Sequence, residues 1–218
     1  MDHPNHATLA CTSTGGRCVP VTGRAYPGAV PSHLALLRGI NVGGRHKLPM
    51  ASLRDLATGL GHTDVATYIQ SGNLVMTPAR GASPTVLGAE LQAAIDEEFG
   101  FAPLVVVLTA DEWRQVVEAN PYPDPQEPRH LHAYVQQEDF TAEQVTALAR
   151  LRDESREAGG ADDLTVLGRV CYLHTPDGLG HSALAEKMAR VRAAGLDRAT
   201  ARNWATVLTL QQTLQRHD

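Results

Sequence analysis

Apolar residues along this chain follow two rhythms that alternate in a regular order. HLALLR (33–38) is a short apolar run, consistent with a buried strand. After a glycine-rich loop, Pro49 stands where the first turn of a helix tolerates it. Leu53, Leu56, Ala57 and Leu60 then recur at three- and four-residue spacing up to Gly61, which predicts a helix closed by that glycine. VATYIQSGNLVMT (65–77) is two β-rich runs pivoting on Ser71-Gly72-Asn73, a hairpin signal. Leu87, Leu91 and Ile95 share one face of a helix from about Thr85 to Phe99, and PLVVVLT (103–109) returns to a strand. The order βαββαβ is the ferredoxin-like pattern.

Thr109 and Glu112 have the spacing of a capping box and open a helix that runs to about Ala119. Four prolines between 121 and 128 fit neither a helix nor a central strand and set a domain boundary. The same rhythm then starts again. HLHAYVQ (130–136) reads as a strand, Thr141 and Gln144 cap a helix to about Ala158, and 163–175 form a second hairpin around Gly168. A helix from Ser182 to Ala194 and a last helix from about Ala201 to Gln215 complete the chain. The expected fold is α+β, a tandem duplication of ferredoxin-like βαββαβ units with a weak final strand in the second and a C-terminal helix. The expected units are 33–120 and 129–218. Residues 1–32 lack hydrophobic periodicity and are rich in Gly, Pro, Ser and Thr, so the expectation there is a disordered extension.

Composition narrows the class of function. With 218 residues, 43% of them hydrophobic and 20% charged, the chain can bury a sizeable core. A formal net charge of −5 argues against binding nucleic acid through bulk charge, which leaves a strongly basic footprint. No stretch approaches the roughly 18 apolar residues of a membrane span, and the N-terminus lacks the apolar middle of a secretory signal. The expected location is the cytoplasm. Three cysteines, Cys11, Cys18 and Cys171, make no framework of close pairs and no zinc spacing.

Four stretches carry candidate chemistry. In LLRGINVGGRHKLPM (36–50), Gly39, Gly43 and Gly44 allow backbone amides to face a ligand, the helix after Pro49 presents its positive end, and Arg38, Arg45 and Lys47 add charge. The stretch is neither a P-loop nor GxGxxG, and a tight turn with solvated basic residues would use the same letters. TYIQSGN (67–73) puts Gln70, Ser71 and Asn73 at a hairpin tip; turn chemistry accounts for Gly72 and Asn73 but does not require Gln70. HTPDGLGHS (174–182) repeats the design of the first loop, with Ser182 as N-cap and with Asp177 opposing an anion. TARNWATVLTL (200–210) combines Arg202, Asn203 and Trp204 at the start of the last helix, with Val207, Leu208 and Leu210 as its apolar stripe. His130, His132 and His174 lie on expected strands without HExxH or a carboxylate at helical ligand spacing, so no metal site is expected. There is no GxSxG elbow, and Cys171 in an apolar strand reads as an inert core thiol.

In LALLRGINVGGRHKLPM, TYIQSGNLV, YLHTPDGLGHSAL and TARNWATVLTL the chain resembles the DUF1697 family, a bacterial family of unknown function, over about 33–215. The resemblance implies the tandem ferredoxin-like architecture, and it implies no substrate, cofactor or catalytic residue. The matching positions are Arg38, Gly39, Asn41, Gly43, Gly44, Lys47 and Met50 in the first motif and Gln70, Ser71, Gly72 and Asn73 in the second. In the last two motifs they are Asp177, Gly178, Gly180, Ser182, Arg202, Asn203 and Trp204. His181 stands where the family pattern has a basic residue and Ala183 where a polar one is common, which lowers the charge of that loop at neutral pH.

The expected function is binding of a phosphate-bearing ligand, a nucleotide or a single-stranded nucleic acid, through Arg38, Asn41, Gly43, Gly44, Lys47, Gln70, Ser71, Asn73, Ser182, Arg202 and Asn203. Aromatic residues are 5% of the chain, and in the first hairpin only Tyr68 could stack on a base, which favours a small nucleotide over a long strand. The rival reading is an enzyme acting on a phosphorylated small molecule in the cleft between the halves, with His46, His181 or Asp177 as acid or base. A third reading is a partner-binding scaffold. No cofactor is indicated.

Overall fold

The computed structural model describes residues 31–122 and 127–215. The extension expected over 1–32 lies almost wholly outside the described residues, as does the middle of the proline-rich segment. In chain order the strands are β1 (His33–Leu37), β2 (Thr63–Tyr68), β3 (Asn73–Thr77), β4 (Val105–Thr109), β5 (Leu131–Val135), β6 (Asp163–Leu167), β7 (Val170–His174) and β8 (Thr200–Asn203). The helices are α1 (Met50–Gly59), α2 (Pro84–Phe99), α3 (Ala110–Glu118), α4 (Ala142–Glu157), α5 (Ala183–Arg190) and α6 (Trp204–Gln215). The fold is α+β, with two four-stranded antiparallel sheets ordered β2-β3-β1-β4 and β6-β7-β5-β8.

Period-two alternation divides each central strand between two cores. Ala35 and Leu37 of β1 turn toward α1 and α2, where they meet Leu53, Leu87, Leu91 and Ile95. Leu34 and Leu36 turn to the other face, into a core that also takes Val106 and Leu108 of β4. The second sheet behaves the same way: Cys171 and Leu173 face α4 and α5, while Val170, Tyr172, Leu131 and Ala133 enter the same core as Leu34 and Leu36. Trp113 and Val116 of α3 and Trp204, Val207, Leu210 and Leu214 of α6 complete it. One hydrophobic core therefore belongs to both sheets, and each fully buried side chain in it contributes about 1.5–3 kcal/mol.

Local signals set the helix ends. Thr109 with Glu112 and Thr141 with Gln144 form reciprocal capping boxes, as their spacing predicts. Two helix limits differ from the sequence pattern. The helix expected to run to Ala194 stops at Arg190, and two 3-10 turns follow. There Gly195, at φ +70°, packs so tightly on Gln144 that an added Cβ would lie 1.9 Å from its Nε2. The last helix starts at Trp204 rather than near Ala201, because Thr200–Asn203 pairs with β5 from Val135 to His132. Tertiary pairing overrides helix propensity here, and the Asn203 carboxamide accepts from the Thr206 amide at 2.9 Å to start the helix. Leu208, expected in the apolar stripe, is exposed, since the buried positions step from Val207 to Leu210 and Leu214.

Candidate functional site

The loop after β1 is a small hairpin. Val42 and Arg45 form an antiparallel bridge, and the Asn41 amide donates to the His46 carbonyl at 3.0 Å. Gly43 (φ +59°) and Gly44 (φ +76°) lie between the bridged residues, the pair of positive φ values that a two-residue hairpin turn demands. The two glycines are thus accounted for by the turn. Among the described residues their amides and that of Gly39 have no bonding partner.

Asn41 works as a clasp. Its Oδ1 accepts from the Leu48 amide at 2.9 Å, and its Nδ2 donates to the carbonyls of Leu48 (2.9 Å) and Gln70 (3.0 Å). Both ends of the loop are thereby tied to the β2–β3 turn. His46 stacks on Phe101, with ring centroids 4.7 Å apart, and Arg45 and Lys47 point into solvent.

Ser71 and Asn73 hold that turn together: Asn73 Nδ2 donates to the Tyr68 carbonyl (2.9 Å) and to Ser71 Oγ (3.0 Å). The Gln70 side chain is exposed and makes no bond to any described residue. Ser182 caps α5 by accepting from the Ala185 amide at 2.8 Å, and its hydroxyl donates to Asp162 at 2.7 Å. Its polar capacity is spent on local structure.

Two arginines cross between the halves in opposite directions. Arg38, at the end of β1, donates through Nη1 to the carbonyls of Leu196 and Ala199. Arg202, on β8, donates through Nη2 to the carbonyls of Leu37 (2.9 Å), Ser71 (2.9 Å) and Gly72 (3.1 Å), and through Nε to Asn73 Oδ1. Its Nη1 meets Thr200 Oγ1 and the Ala201 carbonyl, both at 2.8 Å.

Every Arg202 partner is a neutral oxygen. Arg202 as a residue is 7% exposed, and no carboxylate among the described residues forms an ion pair with its guanidinium. Burial pulls its pKa down to about 10, so it remains a cation at neutral pH.

Both arginines line one cleft of about 460 Å³ at the meeting of the halves. Gly39, Ile40, Val42 and Ser71 form its first-half wall, and Tyr134, Leu196 and Asp197 belong to the opposite wall. Arg38 is exposed, and its Nε and Nη2 have no partner among the described residues. Burial pushes the Tyr134 phenol up to about 12, so it is a neutral hydrogen-bonding group. Asp197 lines the cleft without forming an ion pair with either arginine.

Of the eleven sequence candidates, Arg38, Ser71 and Arg202 therefore meet at one cleft. Asn41, Gly43, Gly44 and Lys47 lie in the loop after β1 and Gln70 and Asn73 at the β2–β3 turn, and neither these nor Ser182 and Asn203 line the cleft. His46, His181 and Asp177, the acid and base candidates, do not line it either. Tyr134 and Asp197 carry no motif in the sequence, and only the pairing of β5 with β8 brings Tyr134 beside the residues that precede Arg202.

Cys171 is fully buried and its thiol is pushed up to about 12 by burial, which removes it as a nucleophile at neutral pH. Among the described residues no group of three or more His, Cys, Asp and Glu side chains could hold a metal ion. No described helix is long and apolar enough to cross a membrane.

A family model described as a protein of unknown function, DUF1697, matches residues 30–172. Among solved structures, the chain is similar to the conserved bacterial protein SP0830 from Streptococcus pneumoniae. The two are 25% identical with a TM-score of 0.65, over 85% of this chain and 99% of that one. No functionally curated protein matches the sequence.

Proposed function

The chain belongs to the DUF1697 family, whose function is unknown, and from that premise we propose that it binds a phosphate-bearing small molecule in the cleft between its halves. The observation that carries the reading is the pair Arg38 and Arg202: two cations line one cleft, and no carboxylate among the described residues pairs with either. Arg202 contributes field rather than contact, since all its N–H groups are taken by the protein. Arg38 contributes the contact, through Nε and Nη2. An anion placed there supplies the countercharge that the buried guanidinium lacks, and the low-dielectric surroundings strengthen the attraction.

A small ligand such as a nucleotide fits this reading better than a single strand. Tyr68, the stacking candidate in the first hairpin, packs against the shared core, and a strand platform needs exposed aromatics in series. In the same reading, 33–120 and 129–218 are two ferredoxin-like units from a tandem duplication. The matching strand orders β2-β3-β1-β4 and β6-β7-β5-β8 support it. A cytoplasmic setting, where phosphorylated metabolites are plentiful, belongs to it as well.

The test is a thermal-shift series on the full chain with orthophosphate, nucleotides and sugar phosphates. Ligands that bind only the folded form raise the melting temperature with their saturation. At least one phosphate compound raises it in wild type and fails to do so in Arg38→Ala. Equal shifts in the two proteins, or none with any compound, overturn the proposal.

A further inference from the structure

The cleft has a neighbour on the Asp197 side. A second hollow of about 290 Å³ adjoins it, and Ala189, Leu196 and Asp197 line both. Its lining also includes Arg190, which pairs with Glu186 at 2.5 Å, and Arg192, neither of which lines the first cleft. Arg192 is exposed, and no carboxylate among the described residues pairs with it. The two hollows therefore share a wall: Arg38 lines only the first, Arg192 only the second, and the Asp197 carboxylate borders both.

That charge order selects a chemical class. A phosphate beside Asp197 would be repelled, whereas a hydroxyl there donates to the carboxylate. The apolar Leu196 and Ala189 suit the carbon skeleton that carries the hydroxyls. We infer that the ligand is a sugar bearing two phosphate groups, one held at Arg38 and the other at Arg192, with Asp197 accepting hydrogen bonds from the hydroxyls between them. This rests on the anion-binding reading of the cleft and names the ligand class for that site.

Isothermal titration of the full chain with fructose 1,6-bisphosphate, fructose 6-phosphate and pyrophosphate separates the two ideas. Wild type binds the bisphosphate about tenfold or more tightly than the monophosphate. Arg192→Ala removes that margin and leaves the monophosphate affinity unchanged. Asp197→Ala weakens both sugar phosphates and does not weaken pyrophosphate. Arg192 and Asp197 are exposed, and an unchanged melting temperature of each ligand-free variant checks that it folds. A margin that is absent in wild type or survives in Arg192→Ala overturns this inference alone, provided Arg38→Ala still abolishes binding. Binding that persists in Arg38→Ala, or no binding by any probe, overturns the cleft reading and this inference with it.

Discussion

The side-chain amide of Gln137 takes both backbone groups of Val107: its Nε2 donates to the carbonyl at 3.0 Å and its Oε1 accepts from the amide at 2.9 Å. Val107 lies on β4, the edge of the first sheet, and Gln137 follows β5 of the second. A single side chain thus acts as a one-residue strand partner and blunts an edge that would otherwise offer unpaired groups.

Gln137→Leu strands that donor and acceptor on a part-buried edge. The expected cost is about 1–3 kcal/mol of stability, read from urea unfolding of the full chain. Gln137→Glu keeps the acceptor and loses the donor, so it falls between wild type and the leucine variant. A leucine variant as stable as wild type would mean that water serves Val107 equally well.

Two glycines with similar backbones have different costs on substitution. Gly72 has φ +75°, and a Cβ there would lie 2.7 Å from both Ile40 Cδ1 and Leu37 Cβ. Gly43 has φ +59° and meets nothing within 4 Å. Gly43→Ala loses about 1 kcal/mol from the left-handed backbone alone, and Gly72→Ala adds overlap for about 2 kcal/mol or more. Thermal unfolding of the pair checks this, and equal losses would show that both Ile40 and the backbone at Leu37 give way freely.

These positions show how far the sequence could be read. Hairpins, capping boxes and core faces follow from short-range rules, so Thr109 with Glu112, and Leu87 with Leu91 and Ile95, lie where the spacing predicts. Arg38, Ser71 and Arg202 stood out as polar residues at loop or element ends, and they do line one cleft. What they bond to was not legible. Arg202 reaches Leu37, which is 165 residues away in the chain, and no local rule reports such a contact. Long-range pairing also fixes β8, expected only as a weak final strand and placed by its partner β5, and it brings in Tyr134 and Asp197, ordinary residues until the halves close on them.

His132 makes the protein sensitive to acid. Its ring is buried, its Nδ1 has no partner among the described residues, and burial, with nearby His130 second, pulls its pKa down to about 4. The unfolded chain takes up a proton there near pH 6.5 while the folded one resists until about pH 4, so stability present above pH 6.5 is lost as the pH falls through that window. His33 and His62 are also shifted downward by burial and act in the same direction. The expected loss at His132 is about 2–3 kcal/mol. His132→Leu flattens this slope in denaturation series between pH 7 and 4 without lowering stability at pH 7, and an unchanged slope would count against the assignment.

Arg202→Lys tests whether charge or geometry matters at the crossing between halves. An ammonium carries the same charge but cannot span Leu37, Ser71, Gly72 and Asn73 together. The lysine variant should lose about 3 kcal/mol or more, close to Arg202→Met, because both leave buried carbonyls unpaired. Full retention of stability by lysine would show that the charge alone suffices.

The core shared by the two sheets also bears on synthesis. Trp204, Val207, Leu210 and Leu214 pack with Leu34 and Leu36, and Arg202 closes the turn that holds Ser71 and Asn73. The chain leaves the ribosome in order, so β1 waits, with one apolar face covered only in part by α3, until α6 has emerged. A nascent chain stalled before Arg202 exposes that face to chaperones, and the protein reaches its finished state only after the last helix is free of the exit tunnel.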